Sequence, residues 1–186
     1  MNFLTSLTTN ANAWRLLAVS ALILQCLALF FQYELDLKPC IMCVYQRVAI
    51  WSIFAAGLIG SFKSQLFILR LIGYGLWGVG AIWGAFIAFE HVAIQSPDAS
   101  LFYICEYIPN FPDWAPLHDW LPALFAVTGS CLDVDWQFLG FSMSQWMFTI
   151  FLTYSAIFST IVLTELRKFY QLVASKRCQQ IRAKIN

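Results

Sequence analysis

Charge is what this 186-residue chain lacks first. Only 11% of its residues are Asp, Glu, Lys or Arg, 60% are hydrophobic and the mean hydropathy is +0.69. Soluble domains carry about 25% charged residues, so a water-soluble helical domain is excluded and a membrane protein is implied. The length allows one compact bundle, a single membrane domain over residues 1–186. Histidine is scarcer still, with His91 and His118 the only two. A membrane haem anchor needs axial ligands on facing helices, and only His91 lies near an apolar segment. No low-complexity tract or 20–50-residue repeat is visible. The first apolar segment has no A-x-A cleavage site, and Gln25 before Cys26 is not the small residue that precedes a lipoprotein cysteine. That segment is read as a retained span. Nothing points to nucleic acid.

The gaps between charges locate the spans. Arg15 to Glu34 encloses 18 uncharged residues, Arg70 to Glu90 encloses 19, and Asp135 to Glu165 encloses 29. A further apolar run, 41–62, is broken only by Arg47. About 20 residues cross the hydrocarbon as a helix. The expected fold is an all-α membrane protein, a four-transmembrane-helix bundle. Its spans fall at about 14–33, 41–62, 68–90 and 143–164. A long, partly irregular loop over 91–142 contains "WAPLHDWLPALF", which reads as a short interfacial helix. Gly80 and Gly84 form a G-x-x-x-G in the third span, read as close packing inside the bundle.

Lys and Arg set the orientation. The 91–142 loop has neither, but it has Asp98, Glu106, Asp113, Asp119, Asp133 and Asp135. Arg15, Lys63, Arg70 and the basic tail from Arg167 fall on the opposite side. The positive-inside rule makes both termini cytoplasmic and turns the loop outward.

Six cysteines then sort by compartment. Cys178 lies in the basic tail, and Cys26 lies mid-membrane, read as a small packing group. Cys40, Cys43, Cys105 and Cys131 lie on the outer side, where disulfides persist. Cys40 and Cys43 make a C-x-x-C at the mouth of the second span, with Pro39 suited to the helix's first turn. A helix N-terminus favours a thiolate. Arg47, four residues past Cys43 and on the same helix face, can stabilise one there. An arginine at mid-helix costs roughly 2.5–3.5 kcal/mol, so snorkelling competes with function, and its place behind a dithiol favours function. Cys105 and Cys131 alone read as a staple worth roughly 3–4 kcal/mol. Five prolines leave their loop irregular enough for exchange as well. Zinc ribbons want C-x-x-C twice; with one such pair, no metal is expected.

"LKPCIMCVYQR", "FEHV", "FYICEY", "NFPDW", "GSCLDVDWQFLG" and "SQW" together resemble the DsbB family, the disulfide bond formation protein B of bacterial inner membranes, over nearly the whole chain. The resemblance implies a protein-dithiol:quinone oxidoreductase. A DsbA-type periplasmic oxidase would attack a Cys105–Cys131 disulfide, with Cys105 taking the mixed disulfide. Exchange through Cys131 and Cys40 would pass electrons to Cys40–Cys43. Cys43 would deliver them, aided by Arg47, to ubiquinone or menaquinone from the membrane pool. His91, with Glu90 before it, matches the third-span end that lies by the quinone. Chemistry agrees: DsbA, near about −120 mV, is too oxidising for glutathione to recharge, and a membrane quinone reaches a dithiol only at the lipid boundary. The rival classes are a membrane haem or quinone anchor subunit and a non-enzymatic scaffold with a structural loop disulfide.

Overall fold

A computed structural model describes residues 10–62, 66–96 and 108–185. Lys63, Asp98, Cys105 and Glu106 lie outside the described residues. The elements in order are α1 (Ala11–Tyr33), α2 (Ile41–Phe62), α3 (Phe67–Ile94), α4 (Leu117–Trp120), α5 (Pro122–Phe125), β1 (Gln137–Phe138), β2 (Phe141–Ser142) and α6 (Met143–Ile185). Four of these helices, α1, α2, α3 and α6, are long and apolar enough to cross a membrane. At 1.5 Å per residue each exceeds the ~30 Å hydrocarbon core. The chain is a multi-pass helical membrane protein.

Two boundaries differ from the charge-gap reading. The third helix continues past Glu90 through His91 to Ile94, because no proline or glycine interrupts it there. The fourth runs on to Ile185, since the residues after Leu163 are mostly good helix formers.

α2 and α3 pack together at the centre; α1 lies on α2, and α6 lies on α3. The Tyr154 hydroxyl donates to Ser20 Oγ at 2.8 Å, joining α6 to α1. Trp14, Ile53, Ala81, Ala88 and Phe151 belong to the buried core. A Cβ at Gly80 would lie 2.8 Å from the Ala49 carbonyl oxygen, and one at Gly84 would strike the Phe151 ring. The G-x-x-x-G therefore serves contacts with α2 and α6 within the bundle, as its small residues suggested. Cys26 does not pack inside; it is exposed on α1 and so faces lipid. Several large aromatics pack inside the bundle: Trp14, Trp77 and Phe151 are buried.

The loop end of the bundle holds more structure than one interfacial helix. Proline at 122 splits the expected piece into two single turns, α4 and α5, that meet at Leu121. Trp114 and Trp120 are exposed, whereas Phe125 is buried. The Tyr33 hydroxyl donates to the Ala123 carbonyl at 2.8 Å and holds α5 against the end of α1. Residues 137–142 form a hairpin with Gln137 opposite Ser142 and Phe138 opposite Phe141. Its two turn residues, Leu139 at φ 54° and Gly140 at φ 81°, both lie in the left-handed region. That is the pattern of a type I′ turn, which glycine adopts without steric cost. Trp146 Nε1 donates to the Phe138 carbonyl at 3.1 Å and ties the hairpin to α6.

Candidate active site

The site grows from the start of α2. Pro39 stands two residues before the helix rather than in its first turn, and Cys40 is the capping residue. The Cys43 N–H donates to Cys40 Sγ at 3.4 Å, and the Val44 N–H donates to the Cys40 carbonyl at 3.1 Å. A side chain that accepts from the third helical N–H is the ordinary N-cap arrangement, here made by sulfur. It sets the two sulfurs 3.0 Å apart, about 1 Å beyond the roughly 2.05 Å of a disulfide.

Cys131 is brought to this pair by backbone docking. The N–H groups of Thr128 and Gly129 both donate to the Pro39 carbonyl, at 3.0 and 3.1 Å. Residue 129 lies so close to Lys38 that a Cβ there would collide with the Lys38 carbonyl. Two residues on, Cys131 packs with Cys40, Ile41 and Ile94 in one buried cluster. Side-chain hydrogen bonding with Cys131, then with Cys43, and then burial push the Cys40 thiol well above its ordinary range. The inner dithiol and one loop cysteine are thus in contact, while Cys105, the other loop cysteine, lies outside the described residues.

His91 closes the other side. It is 4% exposed, with Nε2 3.6 Å from Cys40 Sγ and Nδ1 3.5 Å from Gln46 Nε2. The ring also hydrogen-bonds the Cys131 backbone. Glu90 is exposed, one residue and about 100° around the helix from His91, and the structure does not bring it to the site.

Arg47 is buried at 7% exposure and does not snorkel to water. Its Nη1 donates to Gln32 Oε1 at 2.7 Å and to the Leu124 carbonyl at 2.8 Å; its Nη2 donates to the Ala28 carbonyl at 3.3 Å. The guanidinium therefore clamps α1, α2 and the loop together. Side-chain length and five donors make this geometry possible for arginine and not for lysine.

Cys43, Gln46, Arg47 and His91 share one cavity, walled on its apolar side by Leu24, Ile50 and Met147. Gln25, which the sequence did not single out, also lines it. Gln25 is 3% exposed, and neither amide atom has a hydrogen-bond partner. An unsatisfied buried polar group costs about 1–3 kcal/mol, so this cavity suits an occupant that is largely apolar and able to hydrogen-bond. A quinone ring, with two carbonyl acceptors, fits that donor set. Gln32, Gln46 and Gln95 likewise escaped the sequence reading. A lone glutamine inside an apolar run, costly unless satisfied, was the available signal.

A membrane-embedded dithiol, with a third thiol pressed against it, defines the class: a membrane thiol–disulfide oxidoreductase. Comparison with known proteins gives the family. The sequence profile of the disulfide bond formation protein DsbB matches residues 10–161. A Disulfide bond formation protein B of Pseudoalteromonas atlantica is 45% identical over 166 residues, covering 89% of this chain and 96% of the relative. One from Psychromonas ingrahamii is 44% identical and covers 90% of each chain. One from Shewanella loihica is 46% identical, covering 83% of this chain and 90% of the relative. The chain belongs to the DsbB family, and it is an enzyme that generates disulfides. Cys40 Sγ, Cys43 Sγ and a His91 nitrogen also lie within 4.8 Å of one another, a spacing that a soft metal ion could bridge.

Proposed function

We propose that this enzyme reoxidises a DsbA-type dithiol protein on the outer side of a bacterial inner membrane and passes the electrons to a membrane quinone. Cys40, Cys43, Cys105 and Cys131 are the reacting residues. The partner's thiolate attacks the Cys105–Cys131 disulfide at Cys105 and leaves Cys131 as a thiolate. Cys131 attacks Cys40, which breaks the Cys40–Cys43 bond and releases Cys43 as a thiolate. The partner's second thiolate attacks its own sulfur in the mixed disulfide, which forms the partner's disulfide and frees Cys105. Cys105 then attacks Cys131, restores the loop disulfide, releases Cys40 and leaves Cys40 and Cys43 reduced. A quinone as substrate takes up two electrons and two protons, so one partner disulfide is made per hydroquinone.

The observation that carries this reading is the position of Cys131 against Cys40 on one side of the dithiol, with the Cys43–Arg47–His91 cavity on the other. Exchange needs a sulfur within reach of a sulfur, and the docking of residues 128–129 on Pro39 supplies that reach. Arg47 and His91 would hold the quinone, and Arg47 supplies the positive charge beside Cys43. Cys40, protonated and hydrogen-bonded, is the poorer nucleophile of the pair, which suits Cys43 to the quinone step. Glu90, exposed, is left at most at the rim. The basic residues place both termini in the cytoplasm by the positive-inside rule, with residues 1–186 as one membrane domain.

Purified enzyme mixed with a reduced DsbA-type protein and ubiquinone or menaquinone tests this. Quinone absorbance and partner thiols should fall together, at two thiols per quinone. Oxidation of the partner with no loss of quinone absorbance under anaerobic conditions would overturn it.

A further inference from the structure

Gln25 lies on α1 in line with Ala28 and Gln32, at i, i+3 and i+7, so the three share one helix face. Ala28 and Gln32 are occupied by Arg47. Gln46 and His91 are within 3.5 Å of each other. Among the described polar side chains that line the cavity, Gln25 is the one whose buried amide atoms have no partner. It stands two helical turns, or about 10 Å, deeper along α1 than Gln32. Arg47 takes the Gln32 and Ala28 part of that face, and Gln25 lies beyond it along α1.

Resting on the quinone reading above, we propose that Gln25 is a binding residue for the quinone. Its Nε2–H donates to the ring carbonyl that lies away from Cys43. Reduction changes what that ring oxygen requires. As the dithiol loses two electrons and two protons and becomes a disulfide, each quinone C=O becomes C–OH. An acceptor oxygen thereby becomes a donor. A carboxamide carries one group for each state, because rotation about its terminal bond exchanges Nε2–H for Oε1. Gln25 thus holds substrate and product alike in a dry site, without a charge that would favour one over the other.

The test compares the full-length protein with Gln25→Met, which has similar length and no hydrogen-bonding amide. With a short-chain ubiquinone and a small dithiol as donor, the KM for quinone should rise about 5–10-fold, the equivalent of one neutral hydrogen bond. The KM for the dithiol should not change. Infrared difference spectra with carbonyl-labelled quinone should show one of the two C=O bands displaced in the variant. Without quinone, Gln25→Met should melt at the same temperature as the parent or higher, because it removes an unsatisfied buried amide. An unchanged quinone KM, unchanged carbonyl bands, a lowered melting temperature or a failure to fold would each overturn the proposal. If the parent itself cannot reduce quinone, the reading beneath it falls as well; with an active parent, only Gln25 is struck out.

Discussion

The backbone N–H of Gly129 donates to the Pro39 carbonyl at 3.1 Å, and that bond places the loop cysteine on the membrane dithiol. Any side chain at 129 meets the Lys38 carbonyl. Gly129→Val should therefore lift residues 128–131 off Pro39 and separate Cys131 from Cys40. Rapid-quench trapping of the Cys131–Cys40 exchange should show it slowed at least about 10-fold, while a small dithiol that reaches Cys40–Cys43 directly still reduces quinone. A variant with normal exchange would show that the docking is dispensable.

Arg47 joins three segments, so its loss has two consequences. Arg47→Met leaves the Leu124 and Ala28 carbonyls and Gln32 without their donor, and hydrogen bonds to a charged group contribute about 1.5–3 kcal/mol each. Thermal unfolding in detergent should shift down by several degrees. The quinone step should weaken as a raised KM or lower turnover. Arg47→Lys keeps the charge but not the fork, and should recover more of the quinone step than of the stability. Steady-state kinetics with varied quinone, set beside melting curves, separates the two.

Cys40 keeps its proton far into the alkaline range because Cys131, Cys43 and burial all favour the neutral thiol. The sign follows: a raised pKa means little thiolate at pH 8 and more as pH climbs. In the reduced enzyme, alkylation of Cys40, read by mass spectrometry, should be slow at pH 8 and still increasing at pH 10. Cys131→Ala removes the largest cause, so the same rate profile should move to lower pH. A plateau near pH 9 in the parent would contradict the arrangement.

On the proposed route, Cys105 separates the enzyme's two half-reactions. Cys105→Ala should abolish oxidation of a DsbA-type dithiol protein, because the partner loses its entry disulfide. Quinone reduction by a small dithiol should persist, since Cys40 and Cys43 are untouched. Rapid oxidation of the protein partner by this variant would show that entry lies elsewhere.

Four spans, the dithiol at a helix mouth and the family were legible in the linear sequence. Hydrophobic run length, charge gaps and short cysteine motifs are local, and the bilayer turns such local patterns directly into crossings. Cys40 and Cys43 were readable for the same reason: three residues apart at a helix start, their proximity is a matter of helix geometry. Cys131 against Cys40, 91 residues apart, is not; it depends on one carbonyl at Pro39 and the missing side chain at Gly129. Nor could spacing show that Arg47 would turn to α1 and Leu124, that Glu90 would face outward while His91 faced in, or that Gln25 would stand unpaired in the cavity. Each of these is set by which helix lies across the gap, and a hydrogen bond between distant segments leaves no periodic trace in a sequence.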